Sequence, residues 1–162
     1  MKSTLFSLTL AATLAAETPV PKPEDVASLD AIVKSVYDVI SGPAGQKRDW
    51  DRMRSLFYPG ARLIPSRPRP EGGAQATILA VDDYIQRSPA VPEKGFYESE
   101  TRRETQTFGN IAHVFSTYES RRAPGEKPFA RGINSFHLLK DGKRWWVVTI
   151  FWDSERPANP LP

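Results

Sequence analysis

Residues 129–153 read FARGINSFHLLKDGKRWWVVTIFWD. Two runs rich in β-branched and aromatic residues flank Asp141-Gly142, a dipeptide typical of two-residue hairpin turns. The stretch predicts antiparallel strands over 129–140 and 144–153. With a two-residue turn, Lys140 lies opposite Lys143 and Leu138 opposite Trp145. One face then carries Asn134, Phe136, Leu138, Trp145, Val147, Thr149, Phe151 and Asp153. The other carries Ile133, Ser135, His137, Trp146, Val148, Ile150 and Trp152. A half-exposed antiparallel strand is polar on one side. The last strand is apolar on both, so both sides are expected to be covered. Helices of the same chain provide one cover, and a second subunit provides the other.

Working back from this hairpin, period-two alternation also spans 96–108 and 111–122, joined at Gly109-Asn110. Phe108 pairs with Ile111 and Gln106 with His113. Glu98, Glu100, Arg102, Glu104 and Gln106 share a charged face, expected outward, with His113 and Phe115. Arg103, Thr105, Ser116 and Tyr118 then face inward. Before residue 95 the period is helical. Val26, Leu29, Val33, Val36 and Ile40 place one apolar stripe on a helix over 24–41, ended by Gly42-Pro43. Asp49 caps a second helix carrying Trp50, Met53, Leu56 and Phe57. Residues 58–61 form a turn, and a strand starts at Arg62-Leu63-Ile64. The Pro/Gly/Arg segment 65–74 is expected to be irregular. A third helix opens at Asp82 or Asp83 and runs to Arg87. Helices first and a long antiparallel meander after them predict an α+β domain, with helices on one face of a curved sheet.

Composition narrows the chemistry. The 162 residues include 15 Pro, no Cys and two His, which excludes disulfides, thiol catalysis and thiolate metal sites. His113 and His137 fall on the outer face without companion ligands, so no metal site is expected, and no cofactor. A net charge of +3, without any dense Lys/Arg block, argues against nucleic acid. Lys2 followed by an apolar run and Ala15-Ala16 reads as a secretory signal over 1–16, cleaved near Ala15 or Ala16. The run is too short for stable membrane insertion. Export to the periplasm or outside the cell follows as the expectation. A Pro-rich leader occupies 17–23, the domain 24–155 and a frayed tail 156–162.

The helix with Tyr37, the segment Leu56-Phe57-Tyr58-Pro59-Gly60-Ala61, the third helix, and the hairpins with Gly132-Ile133-Asn134-Ser135-Phe136 and Asp141-Gly142-Lys143-Arg144-Trp145-Trp146 resemble the nuclear transport factor 2-like superfamily. The likeness covers about residues 24–155 and is nearest to its polyketide-cyclase-like and ketosteroid-isomerase-like branches. It implies a cone: a strongly curved antiparallel sheet wrapped around three helices, with a pocket between them. In the isomerase-like branch a tyrosine and a strand acid donate hydrogen bonds to a developing enolate, while a carboxylate moves the proton. Tyr37 matches the tyrosine and Asn134 the donor acid. The carboxylate position falls at Pro65, which cannot act as a base. The resemblance therefore implies no ketosteroid isomerisation, and leaves lyase, isomerase or cyclase-like chemistry on a small apolar carbonyl compound, with Asp153 as the substitute acid or base.

Two readings stand. In the first, an exported homodimer binds a small apolar molecule through Tyr37, Arg103, Tyr118, Asn134, Phe136, Val147 and Phe151. Tyr37 and Arg103 also fit structural roles, Arg103 as an ion-pair partner of Asp153. In the second, the cone is filled by its own side chains and the chain is a non-catalytic dimerisation or interaction module. Its interface would use His137, Trp146 and Trp152.

Overall fold

The computed structural model describes residues 18–89 and 91–162. The expected secretory signal over 1–16 lies outside the described residues. Helix α1 (Pro23–Val26) and α2 (Leu29–Ile40) divide what the apolar stripe reads as one helix. The break falls at Ser28, whose extended backbone lets its Oγ accept from the Ala31 amide at 3.1 Å. A serine cap starts a new helix more readily than it continues an old one. Asp49 caps α3 (Trp50–Leu56) as expected, accepting from the Arg52 amide at 2.9 Å.

Strand β1 (Phe57–Pro68) follows without a loop. The Pro-rich segment is not irregular: β1 continues through it and returns as β2 (Ala74–Ala76), with Ser66 opposite Ala76 and Pro68 opposite Ala74. β1 lies between β2 and β7, but its pairing with β7 ends at Pro65 opposite Trp152, and past that point the strand has β2 as its neighbour. β3 (Leu79–Ala80) pairs with β1, and α4 (Val81–Arg87) turns back over the sheet. The meander then comprises β4 (Tyr97–Phe108), β5 (Ile111–Arg121), β6 (Ala130–Lys140) and β7 (Trp145–Ser154).

The sheet order is β2-β1-β7-β6-β5-β4, and it does not close. The expected antiparallel character holds for the meander. The β1–β7 pair is parallel, with Leu63 opposite Ile150, so the sheet is mixed. Between sheet and helices lies the core. Ile32, Val33 and Val36 of α2 meet Leu56 of α3, Val114 of β5, Phe136 and Leu138 of β6 and Val147 of β7, all at most 5% exposed. Asp25 joins the helices: Arg52 grips it with two bonds of 2.8 Å and Ser35 Oγ donates at 2.9 Å. The Arg52 guanidinium holds the Asp25 carboxyl below the ordinary carboxylate range.

Two β-bulges decide which side chains enter the cone. On β4, Arg103 faces Ser116 as the two-residue Gly109-Asn110 turn requires. Between Arg102 and Glu100 the register slips by one, so Glu100 faces Tyr118 and Glu98 faces Ser120. On the second hairpin, Lys140 pairs with Trp145 rather than Lys143, because the loop is four residues long. Asp141 Oδ1 accepts from the amides of Lys143 and Arg144, each at 2.9 Å, an Asx-type turn that the Asp-Gly dipeptide does not announce. A second slip lies between His137 and Leu138, opposite Val148. Beyond it the inward residues are Ile150 and Trp152. The chain after β7 makes contacts back to the sheet. Glu155 is clamped by Arg131 at 2.7 and 2.9 Å, and Arg156 and Asn159 exchange backbone bonds.

Candidate functional site

The cone holds a cavity of about 160 Å³ between α2, α3, α4 and the sheet. Its walls are Val36 and Ile40 from α2, Met53 from α3, Leu63 from β1, Phe136 from β6, and Ile150 and Trp152 from β7. Tyr84, Phe96 and Tyr118 complete it, and Glu98 and Asn134 are its hydrogen-bonding end. A second hollow of about 520 Å³ shares Ile40, Tyr84 and Phe96 with it and is also lined by Arg48, Lys94 and Arg122. The geometry is that of an inner chamber with a vestibule.

Glu98 is set in place by backbone and side-chain bonds together. Gly42 and Phe96 exchange backbone hydrogen bonds of 2.7 and 3.0 Å, tying the end of α2 to the start of β4. Ser41 Oγ accepts from the Glu98 amide at 3.0 Å. The carboxylate then accepts from Ser120 Oγ at 2.9 Å and from Asn134 Nδ2 at 3.3 Å. Gly132, opposite Ser154 on β7, leaves room for the Tyr118 ring. A Cβ there would sit 2.4 Å from the Asp153 carbonyl oxygen and 2.6 Å from Tyr118 Oη, so no larger residue fits.

From Asn134 a buried chain of hydrogen bonds leads across the sheet. Asn134 Nδ2 donates to Tyr37 Oη at 3.1 Å, Tyr37 Oη meets Ser116 Oγ at 2.7 Å, and Ser116 Oγ donates to Glu100 at 2.5 Å. Arg103 closes the chain by binding Glu100 at 2.6 Å and Asp30 at 2.5 Å. The direction of donation is fixed. Ser116 spends its hydrogen on Glu100, so it accepts from Tyr37, and Tyr37 in turn accepts from Asn134. The Tyr37 hydrogen therefore points away from the cavity. Asn134 spends both amide hydrogens on Tyr37 and Glu98, and its carbonyl oxygen is the atom left over.

Electrostatics follow from burial. Desolvation pushes the Glu98 carboxyl up to about 6, against the pull of its bonds from Ser120 and Asn134. Burial likewise raises the phenols around it. Tyr84 is pushed up to about 12, with the Glu98 charge adding, and Tyr37 and Tyr118 shift in the same direction. A carboxyl near 6 in an apolar chamber can take a proton from, or give one to, a bound molecule close to neutral pH.

The structure separates the expected site residues. Tyr118, Asn134 and Phe136 line the chamber. Tyr37 stands behind Asn134 as its support, with its ring edge-on to Phe136 at 6.0 Å between centroids. Val147 is wholly buried in the core, and Arg103 is engaged by Glu100 and Asp30 rather than by Asp153. Phe151 and Asp153 do not enter the cone, because the bulge at Val148 reverses the end of β7. Phe151 is 45% exposed, and Asp153 pairs with Arg156 at 2.7 Å. The same reversal brings Trp152 into the chamber wall, so it leaves the outer face on which an interface was expected. His137 and Trp146 do remain outside. His137 stacks against its cross-strand neighbour His113 at 5.1 Å, while Trp146 donates to Asp141 at 2.7 Å under the Arg144 guanidinium. Among the described residues no cluster of His, Cys, Asp or Glu could hold a metal ion, and no helix is long and apolar enough to cross a membrane. Glu98 is expected from the sequence as an outward surface charge, and Tyr84 carries no signal of its own there. An unbroken strand puts Glu98 opposite Arg121 and outward, and only the bulge turns it in.

No family profile and no curated protein sequence matches this chain. Solved structures do. A candidate ketosteroid isomerase from Parabacteroides distasonis superposes with a TM-score of 0.53 at 11% identity, covering 80% of this chain and 89% of that one. A second, from Shewanella frigidimarina, gives 0.50 at 10% identity over 75% and 90% of the two chains. A protein of unknown function with a cystatin-like fold, from Nostoc punctiforme, gives 0.50 at 12% identity over 70% and 81%. At these identities the likeness establishes the cone fold expected from the sequence, and nothing of the chemistry.

Proposed function

We propose that this chain, built on the nuclear transport factor 2-like cone fold, binds a small, largely apolar molecule in the inner chamber, with Glu98 and Asn134 at its polar end. The observation that carries the reading is the half-buried Glu98 carboxylate facing an apolar cavity. A carboxyl placed there raises the energy of the fold, and a chain under no demand for it would place an apolar residue instead. The empty volume of about 160 Å³ also speaks against a cone filled by its own side chains. It is close to the roughly 150 Å³ of a cavity known to hold benzene. Export, expected from residues 1–16, belongs to the same proposal.

Thermal unfolding in the presence of indole and toluene tests it. At a hundredfold its dissociation constant a ligand stabilises by about 2.7 kcal/mol, or roughly 5–10 °C here. The shift should disappear in Val36→Phe, which fills the chamber from α2. A wild-type protein that shows no shift with either probe removes the reading.

A second reading concerns assembly, and one feature favours it. Phe115, Ser135, Phe151 and Ile64 form a cross-strand row on the outer face, with Phe115 and Phe151 41% and 45% exposed. Such an aromatic row on a sheet face fits a second copy of the same chain. Phe115→Glu should convert a dimer to a monomer in sedimentation equilibrium. A monomeric wild type, or a variant still dimeric, argues against this face.

A further inference from the structure

We propose that the molecule the chamber takes carries an amine or other cationic donor group, which sits against Glu98 and the Asn134 carbonyl oxygen. The inference rests on the binding reading above and specifies its ligand. Three observations lead to it.

First, among the described residues Glu98 has no counter-ion. Every element packed around it presents a neutral group. Tyr37 comes from α2, Tyr84 from α4, Tyr118 and Ser120 from β5, Asn134 from β6 and Trp152 from β7. Glu100, the nearest charged residue on its own strand, is taken up by Arg103. Among the described residues no Lys, Arg or His lines the inner chamber. The cations nearby belong to the vestibule, where Arg48 is spent on the carbonyls of Ile40, Gly42 and Gln46 and Arg122 lies over the Phe129 ring at 3.8 Å. A carboxylate set into an apolar chamber without a paired charge is unusual, and a ligand cation supplies the missing partner.

Second, at the Glu98 and Asn134 end of the chamber the neighbouring donors are already in use. The Tyr37 hydrogen goes to Ser116, and both Asn134 amide hydrogens go to Tyr37 and Glu98. A ligand oxygen meeting this end of the chamber would face two acceptors. An N–H⁺ group would meet the carboxylate and the Asn134 carbonyl oxygen together, which is a charge-assisted arrangement.

Third, the apolar wall suits the remainder of such a molecule. Phe96, Phe136, Tyr84, Tyr118 and Trp152 present aromatic surface around one cavity, and aromatic rings favour a cation beside them.

Benzylamine, benzyl alcohol and benzoate share one ring and differ in the group they present. Their affinities for the full chain, read by calorimetry at pH 8, separate the possibilities. The amine should bind at least tenfold more tightly than the alcohol, with benzoate weakest. The preference should vanish in Glu98→Gln, and should shrink in wild type between pH 8 and pH 5 as Glu98 becomes protonated. Equal affinity for amine and alcohol, or a preference that survives Glu98→Gln, overturns the amine assignment while leaving the chamber as a binding site. Failure of all three compounds to bind removes the chamber and the amine assignment together.

Discussion

Phe136→Ala is expected to destabilise the fold by about 3–5 kcal/mol, lowering the unfolding midpoint by roughly 10–15 °C in a domain of this size. Phe136 is fully buried at the centre of β6 and lies between α2 and the sheet. Its removal forfeits the transfer energy of a whole ring, and the space opens beside an existing cavity of about 160 Å³. The lining cannot collapse into it readily, because Tyr37 is anchored by Ser116 and Asn134. The cost therefore belongs at the upper end of the range. The enlarged chamber should admit bulkier apolar probes, so indole protection should persist or increase while basal stability falls. Urea unfolding followed by tryptophan fluorescence measures the first effect, and a loss below about 1 kcal/mol would show that Phe136 is not a central packing residue.

The fold was legible because its signals are local and repeated. Alternation across 111–122 and 129–140, the Gly109-Asn110 turn and the Asp49 cap each needed only neighbouring residues, and each matches an element of the structure. Gly109, at φ +54°, is the first central residue of its hairpin turn, as a primed turn requires. The prolines of 65–70 misled, since a proline removes one donor from a strand without ending it, and past Pro65 β1 is paired with β2 alone. The parallel β1–β7 pair had no local signal either. It follows from where α3 delivers the chain, which is a property of the whole packing.

The site was less legible, for a single physical reason. A strand's faces alternate strictly, so one inserted residue reverses every side chain beyond it. The slip between Glu100 and Arg102 turned Glu98 from an expected surface charge into the chamber's carboxylate. The slip at Val148 exchanged Phe151 and Asp153 for Ile150 and Trp152. Arg103, on the turn side of the β4 bulge, and Asn134 and Phe136, on a strand β6 whose own alternation is unbroken, fall on the expected face. Tyr37 was singled out by the family resemblance, but its role depends on the direction of a hydrogen-bond chain, which no sequence pattern encodes. Bulges gather where a strand must re-aim a side chain. That the two here bracket the chamber from β4 and β7 is itself a reason to regard Glu98 and Trp152 as placed for use.

Glu98→Gln is expected to stabilise the protein at neutral pH by about 1–2 kcal/mol and to leave it unchanged near pH 4. Burial raises the folded-state carboxyl to about 6 from an ordinary 4.5, and each decade corresponds to about 1.4 kcal/mol. Because the folded pKa lies above the unfolded one, the folded state binds the proton more tightly. Wild-type stability should thus fall as pH rises from about 4.5 through 6 and level off above that. Some water reaches this half-buried residue, so the full difference is trimmed toward the lower figure. Glutamine preserves the shape of the site: its Oε1 accepts from Asn134, while its amide donates to Ser120, whose hydroxyl can turn to accept. The variant should therefore lose the downward slope of stability against pH, as read from urea midpoints at pH 4 and pH 8. A variant less stable than wild type at pH 8 would show that the carboxylate is a structural member of the Asn134 chain. A variant more stable, with its preference for an amine gone, marks Glu98 as a group whose cost in stability is offset only when a ligand is bound.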